Sequence, residues 1–191
     1  MVNQIGGEGK SSSGPQAPRL PAARQVHPRV IVVMGIAGAG KTTVGRALAE
    51  SLGWPFHDAD DFHPAANVAK MRAGVPLDDA DRAPWLAALH DLVARIVARG
   101  EHGVLACSAL KQSYREALLP DAARRETVAF VHLDVAPSVA ERRLGERRGH
   151  YMQASLVASQ VATLEPPQEA LCLDGELPVP ALVAHIRRAL A

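Results

Sequence analysis

Cysteine is scarce: the 191 residues contain only Cys107 and Cys172. Each sits in an apolar run, Val104 to Cys107 and Leu171 to Leu173. That reads as two buried free thiols and argues against a disulfide framework or a zinc site. Long apolar runs are also missing. No stretch approaches the roughly 20 residues of a membrane span, and nothing near Met1 has the basic-then-apolar layout of a secretory leader. Charge of one sign is missing too. The net charge is +1, too small for a basic field that would draw nucleic acid or acidic lipid. No internal repeat is visible. These absences predict a cytoplasmic protein with neither a membrane nor a nucleic-acid partner. The length suffices for one α/β domain with a real core.

What is present divides in two. Residues 1–28 carry Gly6, Gly7, Gly9, Ser11, Ser12, Ser13, Gly14, Pro15, Pro18 and Pro21 and little that can be buried. This segment is expected to be a disordered extension, with residues 29–191 forming the folded domain. From Val30 onward, strand and helix patterns alternate. Strands are expected at Val30 to Met34, Trp54 to His57, Gly103 to Cys107, Thr127 to Leu133 and Leu171 to Leu173. Helices are expected at Thr43 to Leu52, Pro64 to Arg72, Pro84 to Arg99, Lys111 to Leu119, Pro137 to about Arg147, Ser155 to Thr163 and Val179 to Leu190. Gly74, Pro76, Asp78, Asp79 and Asp81 read as a loop. Strands spaced by helices predict an α/β fold with a parallel sheet covered on both faces, whose ligands lie at the C-terminal strand ends.

Between the first strand and first helix stand Gly35-Ile36-Ala37-Gly38-Ala39-Gly40-Lys41-Thr42, followed by Thr43. This is G-x-x-x-x-G-K-[ST] in its strand–turn–helix context. Glycines let backbone N–H groups converge on phosphate oxygens, and the helix N-terminus adds its positive dipole end. Lys41 would reach the β- and γ-phosphates, and the Thr42 hydroxyl would ligate Mg²⁺. A dinucleotide-binding turn fits poorly, because Thr43 stands where a third glycine is needed. A nucleoside triphosphate is therefore the first ligand to expect.

Further groups fall at strand ends. Asp58 and Asp60, alternating after the second strand, suit a hydrated Mg²⁺ and a substrate hydroxyl. Asp61 or His63 reads as a cap for the next helix. Ser108, after the third strand, suits either the metal's water shell or the cap of the Lys111 helix. Arg142, Arg143, Arg147 and Arg148 crowd one helix and its exit. Beside a phosphate loop, that favours an arginine-bearing lid over a solvated face.

Together these segments resemble the gluconate kinases (gluconokinases), small kinases of the shikimate-kinase-like group. The matching runs include Met34 to Val44, D-A-D-D-F-H-P-A-A-N at Asp58 to Asn67, Lys70-Met71, and G-V-P-L at Gly74 to Leu77. They continue with D-A-D-R-A-P-W-L at Asp79 to Leu86, A-C-S-A-L-K at Ala106 to Lys111, Tyr114-Arg115, R-L-G-E-R-R-G-H-Y-M at Arg143 to Met152, and S-Q-V-A-T-L-E-P-P at Ser159 to Pro167. Ala59 and Tyr151 depart from a frequent glycine and a frequent phenylalanine. The resemblance implies a P-loop kinase three-layer sandwich, a five-stranded parallel sheet and a small helical lid. It implies ATP-dependent phosphorylation of D-gluconate to 6-phospho-D-gluconate, feeding the pentose phosphate pathway, with ATP and Mg²⁺ as cofactors in a homodimer. A polyhydroxy acid needs partners for its hydroxyls, for which Asp60 and Asn67 are candidates. It needs a cation for its carboxylate, for which Arg82, Lys70, Arg115 and His63 are candidates. Lys41, Thr42 with Mg²⁺, Arg143 and Arg147 would serve the transferring phosphoryl group. Asp60 would orient the attacking hydroxyl, and Asp58 and Ser108 would serve the metal's water shell. A shikimate or nucleoside kinase and a nucleotide-dependent switch are the competing readings.

Overall fold

The computed structural model describes residues 27–146 and 155–190. Five parallel strands form one sheet in the order β2-β3-β1-β4-β5: β1 Val30–Met34, β2 Phe56–Asp58, β3 Gly103–Ala106, β4 Val128–Asp134 and β5 Leu171–Asp174. The central strand β1 is buried along its whole length. A strand covered on both faces needs apolar side chains at every position, which is why Val30-Ile31-Val32-Val33-Met34 is a continuous run.

The pleat divides those side chains between two cores. Ile31 and Val33 pack with Val44 and Leu48 of α1 (Lys41–Leu52) and Leu182 and Ile186 of α7 (Val179–Leu190). Val30, Val32 and Met34 pack with Trp85, Leu89, Val93 and Ile96 of α3 (Asp79–Ala98). The remaining helices are α2 (Ala65–Arg72), α4 (Gln112–Leu118), α5 (Pro137–Gly145) and α6 (Ser155–Thr163). The result is a three-layer α/β sandwich, and the loops after β1, β2 and β3 gather at one edge of the sheet.

Several expectations are corrected. The acidic run after Pro76 is not loop. The Asp78 side chain accepts from Asp81 N and the Asp81 side chain accepts from Asp78 N, a capping box that starts α3 five residues before Pro84. These reciprocal bonds satisfy the first free N–H groups of the helix, so Pro84 falls inside it. Neither Asp61 nor His63 caps α2; Pro64 holds that position without a side-chain bond. Ser108 does not cap α4, where Lys111 occupies the position. Cys107 is buried, but Cys172 is exposed. It lies on the edge strand β5, where Leu171 and Leu173 turn towards the core and the residue between them turns away. Residues 1–26 of the expected extension, and Arg147, Arg148 and the exit of the arginine-rich segment, lie outside the described residues.

Candidate active site

Gly35, Gly38 and Gly40 adopt positive φ angles of 139°, 83° and 99°. At Gly38 a side chain is impossible on two counts, because a Cβ would lie 2.3 Å from the Ala140 carbonyl oxygen. The loop therefore turns tightly against α5 and delivers Gly40 as the N-cap of α1. That cap makes no side-chain hydrogen bond, and the first turn of α1 contains no acidic residue. The N–H groups at the start of α1 thus present an uncompensated positive dipole end to an anion. Lys41 Nζ donates to the Ile36 carbonyl at 3.0 Å, which holds the ammonium over the loop.

The carboxylate of Asp58 is fixed from two sides. Its Oδ2 accepts from the Thr42 hydroxyl at 2.9 Å, and its Oδ1 accepts from Asp60 N at 3.2 Å. Those bonds tie the end of β2 to the start of α1. They also place Asp58, Asp60 and Thr42 in the wall of a single cavity of about 750 Å³. Ser108 lines the same cavity, and its carbonyl accepts from Gly35 N at 3.4 Å. Cys107 lines it too, but burial pushes its thiol up to about 12, so it remains protonated and inert.

His63, Met71, Leu77, Arg82 and Trp85 also line the cavity. His63 stacks on Trp85 with centroids 4.5 Å apart and planes 8° from parallel. Burial, and then the charge of Arg82, pull its pKa down to about 4, so the ring is neutral at physiological pH. Trp85 is in turn anchored by Nε1–H donating to the Ala59 carbonyl at 2.8 Å. Arg82 donates to the Tyr114 hydroxyl at 3.3 Å and lies over its ring. Tyr114 donates to Asp79, whose carboxylate also accepts from Lys111 at 2.8 Å. Asp79 is thereby engaged by other groups and lies 3.9 Å from Arg82.

The structure brings together Ala37, Gly38, Gly40, Lys41, Thr42, Thr43, Asp58, Asp60, His63, Arg82 and Ser108. Gly35, Ile36 and Ala39 of the loop, and Lys70, Asn67, Arg115 and Arg143, do not line the cavity. Lys70 is paired with Asp81 at 2.6 Å. Asn67 is buried and donates to the Asp81 carbonyl at 2.7 Å, joining α2 to α3. Arg115 is also buried; it donates to the carbonyls of Ala109 and Leu110, both at 3.0 Å. Ala109 is the one non-glycine residue with positive φ among the described residues, so Arg115 braces the turn that carries Ser108. Arg143 donates to the Ala39 and Gly175 carbonyls at 3.3 and 3.1 Å, fastening the phosphate loop from α5. Arg147 lies outside the described residues.

Sequence reasoning overlooked Arg46, Leu144, Ser159 and Gln160, which line the cavity. Arg46 stands one turn beyond Thr42, so helical spacing could have found it. Gln160 falls in the family-like run Ser159 to Pro167, which marks the segment but not the role of the residue.

A family described as an AAA domain matches residues 30–167. A Gluconobacter oxydans protein named gluconokinase is 54% identical over 140 residues, spanning 73% of this chain and 77% of that one. The structure of a gluconokinase from Sinorhizobium meliloti superposes with a TM-score of 0.73 and 41% identity, covering 86% of this chain and 92% of that one. The chain belongs to the gluconokinase family. A Xenopus tropicalis protein named "Probable gluconokinase" extends the match, at 44% identity over 82% of this chain and 90% of its own length. Membership makes the chain a P-loop kinase that uses ATP. The segments Asp58 to Pro64 and Ala106 to Lys111 both contribute to the cavity wall beyond the phosphate loop. Among the described residues, no helix is long and apolar enough to cross a membrane.

Proposed function

We infer that this protein transfers the γ-phosphoryl group of ATP to the 6-hydroxyl of D-gluconate. The observation behind it is that Gly38, Gly40, Lys41 and Thr42 line the same cavity as Asp60, His63 and Arg82. Donor and acceptor can then meet without crossing solvent. Phosphoryl transfer asks mainly for positioning and for neutralisation of charge on the transferring oxygens. The loop N–H groups and Lys41 supply the neutralisation, and Asp60 orients the attacking hydroxyl and receives its hydrogen bond.

The donor set fits Mg²⁺. No cluster of three or more acidic, His or Cys side chains occurs among the described residues, but Mg²⁺ is held by one or two protein oxygens together with substrate phosphates and water. Thr42 is oriented for this, since its proton is directed to Asp58 and its lone pairs are left for a cation. Asp58 and Ser108 would hold the metal's water. When bound, Mg²⁺ would neutralise charge between the β- and γ-phosphates.

On the acceptor side, Arg82 is the cation best placed for the carboxylate. Lys70 and Arg115 are engaged elsewhere and His63 is neutral. Tyr114 holds only one side of the Arg82 fork, so its remaining N–H groups can form the paired contacts a carboxylate accepts. His63 and Asp60 serve the hydroxyls, and the stacked Trp85 gives the floor its shape. The test is a coupled assay with ATP, Mg²⁺ and a panel of D-gluconate, other aldonic acids, shikimate and nucleosides. D-Gluconate should be the preferred acceptor. Turnover of shikimate or a nucleoside with D-gluconate inert would overturn the reading.

A further inference from the structure

The peptide unit joining Ile36 to Ala37 is held at both edges. Its carbonyl accepts from Lys41 Nζ at 3.0 Å, and its N–H donates to Gln160 Oε1 at 2.7 Å. Lys41 belongs to the loop itself, whereas Gln160 comes from α6, 123 residues beyond Ala37. The orientation of the carboxamide follows from chemistry. A backbone N–H can only donate, so the amide oxygen faces Ala37 and the two Nε2 protons are directed elsewhere. Ala37 is 6% exposed, so bulk water is a poor alternative partner for that N–H. Gln160 also lines the cavity that contains Lys41, Thr42, Asp58 and Asp60.

An N–H in a loop of this kind is shaped to meet a phosphate oxygen. Here it meets a neutral oxygen of the same hydrogen-bonding type. α6 has other anchors besides this contact. Val157 of that helix is fully buried, and the segment after it is fastened by Glu165 N donating to the Leu110 carbonyl at 2.9 Å and by the Glu165 carboxylate accepting from Gln112 N at 2.6 Å. A hydrogen bond that is not the sole anchor of its helix, and that meets an N–H of the phosphate loop, points to a role in transfer.

We propose that Gln160 is a catalytic residue of the phosphoryl transfer: its carboxamide oxygen holds the Ala37 N–H while the loop is empty, and with ATP seated a γ-phosphoryl oxygen takes that N–H while the carboxamide turns to donate from Nε2 to the same group. No proton leaves Gln160 and no bond to it forms. It adds a neutral donor where negative charge gathers on the transferring oxygens, and that donor does not titrate with pH. The proposal rests on ATP as the phosphoryl donor in this cavity, and it does not depend on which acceptor is used.

Gln160→Ala and Gln160→Glu test it together. The glutamate variant keeps the size of the side chain and can still accept from Ala37, but it cannot donate and it brings a charge that repels phosphate. The measurements are kcat at saturating D-gluconate, the KM for D-gluconate, and the dissociation constants of ADP and of a non-hydrolysable ATP analogue. Gln160→Ala should lose about 10–100-fold in kcat, with the KM for D-gluconate little changed. Its preference for the ATP analogue over ADP should fall by about tenfold, the effect of one charge-assisted hydrogen bond. Gln160→Glu should bind the analogue more weakly than Gln160→Ala while binding ADP comparably. If Gln160→Ala keeps wild-type kcat and the wild-type nucleotide preference, the proposal is wrong. A lowered melting temperature with both quantities intact would assign Gln160 a structural tie only and would equally overturn it. Were D-gluconate not an acceptor at all, the analogue-to-ADP preference would still decide the role of Gln160 by itself.

Discussion

The two halves of the cavity are built on different principles. The donor half is local in sequence: Gly35 to Thr43 run without a break from the turn after β1 into the start of α1, and it is their backbone that would meet the phosphates. The acceptor half is assembled from a distance. His63 follows the 3₁₀ turn Ala59–Phe62, Arg82 and Trp85 come from α3, and Tyr114, which steadies Arg82, comes from α4. Backbone sites tolerate changes in surrounding side chains as long as the turn survives. Side-chain sites fail one contact at a time. Substitutions in the donor half should therefore affect every phosphoryl transfer, whereas those in the acceptor half should change which acid is used and how tightly.

The largest effect should come from the donor half. Lys41→Ala should lower kcat about 10³-fold for every acceptor tested, because it removes a preorganised charge from the transferring phosphoryl group. An acceptor-dependent loss would blur the division. In the acceptor half, Arg82→Ala should raise the KM for D-gluconate about 10–100-fold, with a smaller change in kcat and little change in ATP affinity. Equal losses for ATP and D-gluconate would show that the two halves are not separable.

Smaller effects should fall on stability. Asp78→Ala removes the N-cap of α3 and should cost about 1 kcal/mol, measured by denaturant titration, with kcat unchanged. The smallest concerns pH. The pKa of His63 is depressed to about 4 in the folded chain, against an ordinary value of 6.5. Between these values the unfolded chain binds the proton and the folded chain does not. The His63 contribution to stability is thus complete above 6.5 and is lost as pH falls towards 4. His63→Gln should reduce the acid-induced drop in melting temperature within that window, leaving the parts due to His57 and His132, which burial also lowers. An unaltered acid limb would mean that His63 is not held neutral by its surroundings.

The difference between the halves also explains what could be read from the chain alone. The alternation of strands and helices was legible because β1 is apolar throughout and α7 starts and stops at its expected residues, Val179 and Leu190. The phosphate loop was legible because its chemistry is contained in eight consecutive residues. The start of α3 was not, since Pro84 suggests a beginning while the Asp78–Asp81 exchange of bonds makes an earlier one. Arg115 looked like a carboxylate partner because an arginine in a polar run gives no hint that its guanidinium folds back onto Ala109 and Leu110. Gln160 stands in a family-like run, but its role was hidden for the same reason on a larger scale: its partner, Ala37, is adjacent only in the folded chain.

The proposed transfer runs, within one cavity, from ATP to the terminal hydroxyl of a sugar acid. The most direct measurement is nuclear magnetic resonance of the products formed from ATP, Mg²⁺ and D-gluconate by the full-length protein. ADP and a phosphomonoester at carbon 6 should form in equal amounts, with neither formed by Lys41→Ala at a comparable rate. Hydrolysis of ATP to free phosphate with D-gluconate unaltered, or a phosphoester at another carbon, would contradict it.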